Sequence, residues 1–188
     1  MNIPQEADVV IIGGGVIGCS VAYHLGKLGW KNIVLIERKK LTSGTTWHAA
    51  GLIAQLRATQ NMTRLAKYSQ ELYWDLEKET GVVTGFKRNG SMTVALTEER
   101  LEELNRQADM ARAYDVEIEN IDNEEIKKRY PHLNTEDVLG GVWLPKDGQA
   151  DPVNITLALA KGAKNFGVKI FEDLKVEGIE TNNNKITG

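Results

Sequence analysis

The chain has 188 residues, 41% of them apolar and 26% charged, the profile of a globular protein and not of a disordered or fibrous one. Lys and Arg number 23 against 26 Asp and Glu, a formal charge of -3, so no basic excess exists to hold a nucleic acid. The single cysteine, Cys19, excludes an internal disulfide and a cysteine-built zinc site, and no run approaches the roughly 18 to 20 apolar residues of a membrane-spanning helix. With no Lys or Arg before Lys27, the start lacks the basic region of a signal or transit peptide, and a cytoplasmic location is expected.

The first fifty residues carry most of the information. Asp8 to Ile12 is a β-branched apolar run of the kind buried on both faces of a parallel sheet, and it leads directly into Gly13-Gly14-Gly15-Val16-Ile17-Gly18. Val21, Ala22, Leu25 and Leu28 then recur at helical spacing, with Gly29 at the stop. A second apolar strand, Asn32 to Ile36, ends at Glu37. Strand, G-x-G-x-x-G turn, helix, strand and acid form the dinucleotide-binding pattern. Gly13 permits the tight turn, Gly15 lets backbone approach a pyrophosphate, and Gly18 allows the helix to pack closely on the sheet. Unpaired N–H groups and the positive end of the helix dipole face the phosphates. Glu37, 19 residues after Gly18, suits a ribose diol and disfavours a 2′-phosphate, despite the neighbouring Arg38.

A nicotinamide-binding domain would next run into another helix and strand. This chain instead enters Leu41-Thr-Ser-Gly-Thr-Thr-Trp-His-Ala-Ala-Gly-Leu52, whose small and hydroxylated residues can lie along an extended cofactor. Taken alone, His48 beside Trp47 reads as a solvated or hydrogen-bonding residue. His24 sits in the first helix and His132 in a loop; neither has a ligand-spaced partner, so no metal is expected. Cys19, next to the last glycine, reads as a buried structural thiol.

Further along, Met62, Leu65, Tyr68, Leu72 and Leu76 form one apolar stripe of a long helix. Asn89-Gly90 between residues 85–88 and 91–96 signals a hairpin. Thr97 caps a helix with Leu101, Leu104, Ala108 and Ala111 inward. Val116 to Ile121 is a strand candidate, Asp122 caps a helix ending near Tyr130-Pro131, and Val138 to Leu144 is a strand. Asp151-Pro152 opens a helix that runs to Phe166 and closes at Gly167; Asp151 reads as its cap in preference to a catalytic acid. Val168 to Phe171 suits a third parallel strand, and Leu174 to Ile179 a further strand before a turn at residues 182–184.

Together IIGGGVIG, IER and LTSGTTWHAAGL resemble the FAD domain of the sarcosine and dimethylglycine dehydrogenases, within the D-amino-acid-oxidase-like flavoproteins. The resemblance implies an α/β fold: a Rossmann-like FAD-binding domain over residues 1–84 and 150–188, with an inserted antiparallel-sheet substrate domain, incomplete here, over 85–149. It implies FAD as cofactor, with Gly13, Gly15, Val16, Ile17 and Gly18 at the pyrophosphate. Glu37 and Arg38 would lie at the adenosine ribose, and the backbone of Val176 at adenine. Gly44, Thr45, Thr46, Trp47, His48, Ala49, Ala50, Gly51 and Leu52 would line the ribitol and isoalloxazine, with His48 the point of covalent attachment.

The implied reaction is oxidation of a small N-methylated amine, sarcosine or dimethylglycine, by hydride transfer to the flavin. The electron acceptor would be an electron-transfer flavoprotein or oxygen. Catalytic residues, remaining strands and a folate-binding region would lie beyond Gly188, so a part of a larger protein is expected. Two alternatives stay open: a non-catalytic regulatory relative such as the phosphatase regulatory subunits, and another amine or amino-acid oxidase of the superfamily.

Overall fold

A computed structural model describes residues 3–188. The backbone divides into two compact units. The first comprises residues up to Gly51, Asp75–Gly85 and Asp151–Gly188; the second comprises Leu52–Trp74 and Phe86–Ala150. Residues 52–74, expected with the nucleotide-binding domain, thus fold with the second unit. The reason is local: β3 (Leu52–Ile53) pairs antiparallel with β7 (Gly148–Gln149), drawing the chain into the second unit directly after Gly51.

In the first unit β1 (Val9–Ile12), β2 (Ile33–Ile36) and β8 (Lys169–Phe171) form a parallel sheet in the order β1-β2-β8. Val10 stands opposite Val34, and Leu35 opposite Ile170. α1 (Val16–Lys27) and α5 (Pro152–Asn165) pack on each other through small residues. A Cβ on Gly162 would come within 2.7 Å of the Tyr23 ring and one on Gly26 within 2.8 Å of Phe166 Cβ, so these glycines set the helix spacing. The core they share holds Cys19, Ala22, Tyr23, Leu35 and Leu159. Tyr23 donates its hydroxyl to the Glu79 carboxylate at 2.7 Å and accepts from Lys27 Nζ at 2.9 Å, which satisfies the one polar atom of a buried ring. β1 departs from expectation. Val10 and Ile12 are more than half exposed in this chain, whereas the central strand β2 is buried.

The second unit is built on the antiparallel sheet β4 (Ser91–Ala95), β6 (Gly140–Leu144) and β5 (Glu119–Ile121), in the order β4-β6-β5. α3 (Glu98–Ala113) buries Leu104, Ala108 and Ala111 against Ala95, Val142 and Leu144. Its cap is Thr97, whose hydroxyl accepts from Arg100 N at 3.3 Å. α4 (Asn123–Arg129) is capped by Asp122, which accepts from Glu125 N at 2.9 Å. Leu174–Ile179 is not a strand. It is tied at its start to the end of β2 by Leu174 N to Glu37 O at 3.0 Å, and the next ladder is the two-residue pair β9 (Thr181–Asn182) and β10 (Lys185–Ile186). Asn183 and Asn184 turn that pair at positive φ.

Two other expectations are corrected. The Asn89-Gly90 turn does not fold 85–88 onto 91–96: Lys87 pairs with Gln149, Gly90 donates to the Asp147 carbonyl at 2.8 Å, and β4 pairs with β6. The 147–149 segment takes the bonds that a hairpin would have used. In α2 (Gln60–Thr80) Leu72 and Leu76 are buried, but Met62, Leu65 and Tyr68 are exposed and Thr63 and Gln70 face inward. The first half of this helix therefore turns a polar face to the interior, where Gln70 accepts a bond from Gln55 Nε2 at 2.6 Å.

Candidate cofactor site

The site lies within the first unit, at the carboxyl ends of β1 and β2, where an open α/β sheet binds its ligands. Gly13, at φ +109, turns the chain out of β1 and donates to Ile36 O at 2.8 Å. A Cβ on Gly18 would overlap the Gly13 carbonyl oxygen, so the first turn of α1 lies directly on the strand end. Glu37 is fixed from two sides. Its Oε2 accepts from Gly14 N at 2.7 Å and its Oε1 from Lys39 N at 2.9 Å, orienting the carboxylate with lone pairs to spare.

The following segment closes over the turn. Thr42 donates its N–H to Gly14 O at 3.0 Å, and Thr46 Oγ1 accepts from Val16 N at 3.0 Å. Thr46 begins the single 3-10 turn Thr46–His48, in which the Trp47 and His48 rings lie with centroids 3.8 Å apart and planes tilted by 33°. Trp47 and His48 are exposed while Thr46 is buried. Cys19 is buried behind the turn with its thiol directed at Gly14 O, 3.7 Å away. Burial pushes this thiol up to about 12, with the Glu37 charge adding to the shift, so it stays protonated and unreactive.

A cavity of about 720 Å³ brings together Gly13, Gly15, Val16, Ile17, Gly18, Glu37, Arg38, Gly44, Thr45, Thr46 and Ala49 of the expected residues. A smaller cavity of about 240 Å³ shares Gly13, Glu37 and Arg38 and adds Val176. Trp47, His48, Ala50 and Gly51 do not line the main cavity, and Leu52 belongs to the second unit. Sequence reading passed over Gly14, Lys39 and Thr42. The run of three glycines was a signal for Gly14, whose Cβ would meet Glu37 Cβ at 2.9 Å; Thr42, held at φ +71, has no signal in its residue type.

The pocket fits a dinucleotide. Gly15 presents bare backbone to the cavity, with only Thr46 Oγ1, 3.1 Å away, near the place a Cβ would take. The N-terminal end of α1 opens onto the same space beside a fixed carboxylate, giving one place for phosphates and one for a ribose. The family model for "FAD dependent oxidoreductase" matches residues 8–188. The chain belongs to this FAD-dependent oxidoreductase family. It is 41% identical over 178 residues to mitochondrial sarcosine dehydrogenase of Homo sapiens, covering 94% of this chain and 19% of that protein. It is 43% identical over 164 residues to mitochondrial dimethylglycine dehydrogenase of Rattus norvegicus, covering 87% and 19%. Similarity extends to the mitochondrial pyruvate dehydrogenase phosphatase regulatory subunit of Mus musculus, 37% identical over 99% of this chain and 21% of that one. Among solved structures, L-proline dehydrogenase from P. horikoshii superposes with TM-score 0.91 at 32% identity, over 98% of this chain and 48% of that one. The chain thus spans about a fifth of the length of these curated relatives. Among the described residues no acidic, His or Cys cluster suits a metal ion, and no helix is long and apolar enough to cross a membrane.

Proposed function

We propose that this chain is the FAD-binding part of an oxidoreductase that oxidises a small N-methylated amino acid, sarcosine or dimethylglycine. The observation that carries the proposal is the cavity in which the glycine turn, Glu37 and the Gly44–Ala49 segment meet. Gly13, Gly15 and Gly18 with the first turn of α1 hold the pyrophosphate, Glu37 and Arg38 the adenosine ribose, and the Val176 backbone the adenine. The 44–52 segment leads toward the ribitol and ring, and His48 is the point of covalent attachment. When bound, FAD accepts the hydride equivalent from the carbon next to the amine nitrogen. The protein's part is to orient that ring and to keep it from leaving. The electron acceptor of the longer protein would be an electron-transfer flavoprotein or oxygen, and a folate-binding region is proposed there from the resemblance alone.

The test uses full-length protein. Anaerobic sarcosine or dimethylglycine should bleach its flavin absorbance, with glycine and proline as comparison substrates. Acid precipitation should leave the yellow colour on the polypeptide, and His48→Ala should release it. A colourless protein that takes up no FAD overturns the proposal; colour released from the wild type overturns the covalent link alone. The similarity to a phosphatase regulatory subunit supports a second reading, in which flavin is bound without turnover. Firmly bound flavin that no amine reduces would favour it.

A further inference from the structure

The second unit contains a polar cavity of about 620 Å³ that shares no lining residue with the candidate cofactor cavity. Its inner wall is amide. Gln70 is fully buried in α2, accepts from Gln55 Nε2 at 2.6 Å and donates to the Lys146 carbonyl. The Gln55 backbone is held in turn by its N–H donating to the Asp147 carboxylate at 2.9 Å. A buried amide pair tied down at both ends makes a rigid polar wall where helical periodicity would put an apolar side chain.

Four cations, Lys67, Arg88, Arg112 and Lys146, and three carboxylates, Glu71, Asp115 and Glu117, line this space. Three of the cations are neutralised, Lys67 by Asp115 at 2.9 Å, Arg112 by Asp109 at 2.8 Å and Lys146 by Glu117 at 3.2 Å. Arg88 is different. No carboxylate among the described residues lies within ion-pair distance of it, its guanidinium lies 4.1 Å from the Trp74 ring centroid, and its Nε is buried with no acceptor. A guanidinium cannot shed its proton to escape such a site, so the uncompensated charge and the orphan N–H both call for an anion. The indole covers one face of the planar fork, which leaves its edge for bidentate pairing with a carboxylate. Val116 is the one apolar side chain in the lining, which disfavours a lipid or an aromatic ligand.

We propose that this cavity is a second ligand site, for a small carboxylate anion, anchored by Arg88. It is built within the second unit and does not depend on the flavin reading. The anion comes either as a simple carboxylate or as the carboxylate end of an amino acid.

The experiment follows arginine Nε–H signals in full-length protein labelled at arginine nitrogen, while sodium acetate replaces sodium chloride at constant ionic strength. The Arg88 signal, assigned by its absence from Arg88→Gln, should shift and saturate at millimolar acetate. A parallel titration with sarcosine distinguishes the sources: tighter binding than acetate identifies an amino acid, equal binding a simple carboxylate, and either supports the site. Acetate binding, followed by the saturable shift of the Gln55 backbone amide, should weaken at least about tenfold in Arg88→Gln. Arg88→Lys keeps the charge without the fork and should fall between the two. An Arg88 signal that acetate leaves unmoved, unchanged acetate affinity in a folded Arg88→Gln, or inorganic phosphate matching acetate would overturn the proposal.

Discussion

Adding one methyl group at successive glycines of the cofactor turn separates packing from ligand approach. At Gly18 the new Cβ would overlap the Gly13 carbonyl oxygen and lie 3.1 Å from its carbonyl carbon and 3.4 Å from Ile11 Cγ2. Carbon atoms in contact prefer about 3.5 to 4.0 Å. The obstruction is backbone, so no rotamer change relieves it, and α1 must move off β1. Overpacking of this kind costs about 3 kcal/mol, which for a chain of this size lowers the melting temperature by about 6 to 12 °C. At Gly14 the methyl meets Leu41 Cδ2 at 2.5 Å and Glu37 Cβ at 2.9 Å; the leucine end can turn away, and a cost of about 1 to 2 kcal/mol is expected. At Gly15 its nearest neighbour is Thr46 Oγ1 at 3.1 Å, a side-chain atom, so the apo protein should lose less than about 1 kcal/mol while FAD uptake falls steeply. At Gly44 nothing lies within 4 Å, and the change should stay within about 0.5 kcal/mol. Thermal and urea unfolding of the four apo variants, with FAD titrations alongside, give the comparison. A Gly18→Ala protein that melts with Gly44→Ala, or a Gly15→Ala protein that loses stability but not affinity, would refute this account of the turn.

Cys19 should resist thiol reagents at pH 8 in the folded protein and react fully once denaturant is added; rapid labelling of native protein would contradict its burial and raised pKa. Burial likewise raises the pKa of Asp147, against the lowering effect of the bonds from Ser91 Oγ at 2.7 Å and Gln55 N. A carboxyl group whose folded pKa lies above its unfolded value binds its proton more tightly when folded. Its stabilising contribution is therefore complete below about pH 4 and declines as pH rises through the raised value. Urea unfolding of wild type and Asp147→Asn across that range should show the wild type losing ground as pH rises, and a flat or growing difference would be inconsistent with the shift. Asp151 accepts from Val153 N at 2.8 Å and Asn154 N at 3.0 Å at the start of α5, so Asp151→Ala should cost about 1 kcal/mol in urea unfolding and leave turnover of the full-length protein unchanged. Lost turnover in a folded variant would return Asp151 to the catalytic candidates.

The features legible in the sequence follow from strong local rules. Backbone freedom, a capping side chain or a 3.6-residue period decides where Gly13, Thr97, Asp122, Asp151 and Gly167 must stand, and each occupies the expected position. Pairing partners are set by distant segments, and there local rules failed. Gly90 takes the positive φ such a turn needs, yet Gln149 captures Lys87, a choice made some sixty residues away. The inward side of α2 departs from its apolar stripe because Gln55 and Gln70 satisfy each other, which no periodicity of apolar residues records. In the cofactor site, the residues that touch the cavity through backbone were legible from glycine spacing. The two N–H bonds that fix Glu37 were not, since they depend on where the chain goes after β2.

The bond from Gly14 N to Glu37 has a consequence for anyone redesigning coenzyme preference. In nucleotide domains of this design the acid at the end of the second strand bonds the ribose 2′-OH, and an Arg nearby accommodates a 2′-phosphate. Here the same carboxylate latches the glycine turn, so replacing it also unlatches the turn. An engineer would have to supply another acceptor for that amide before any new preference could be measured cleanly.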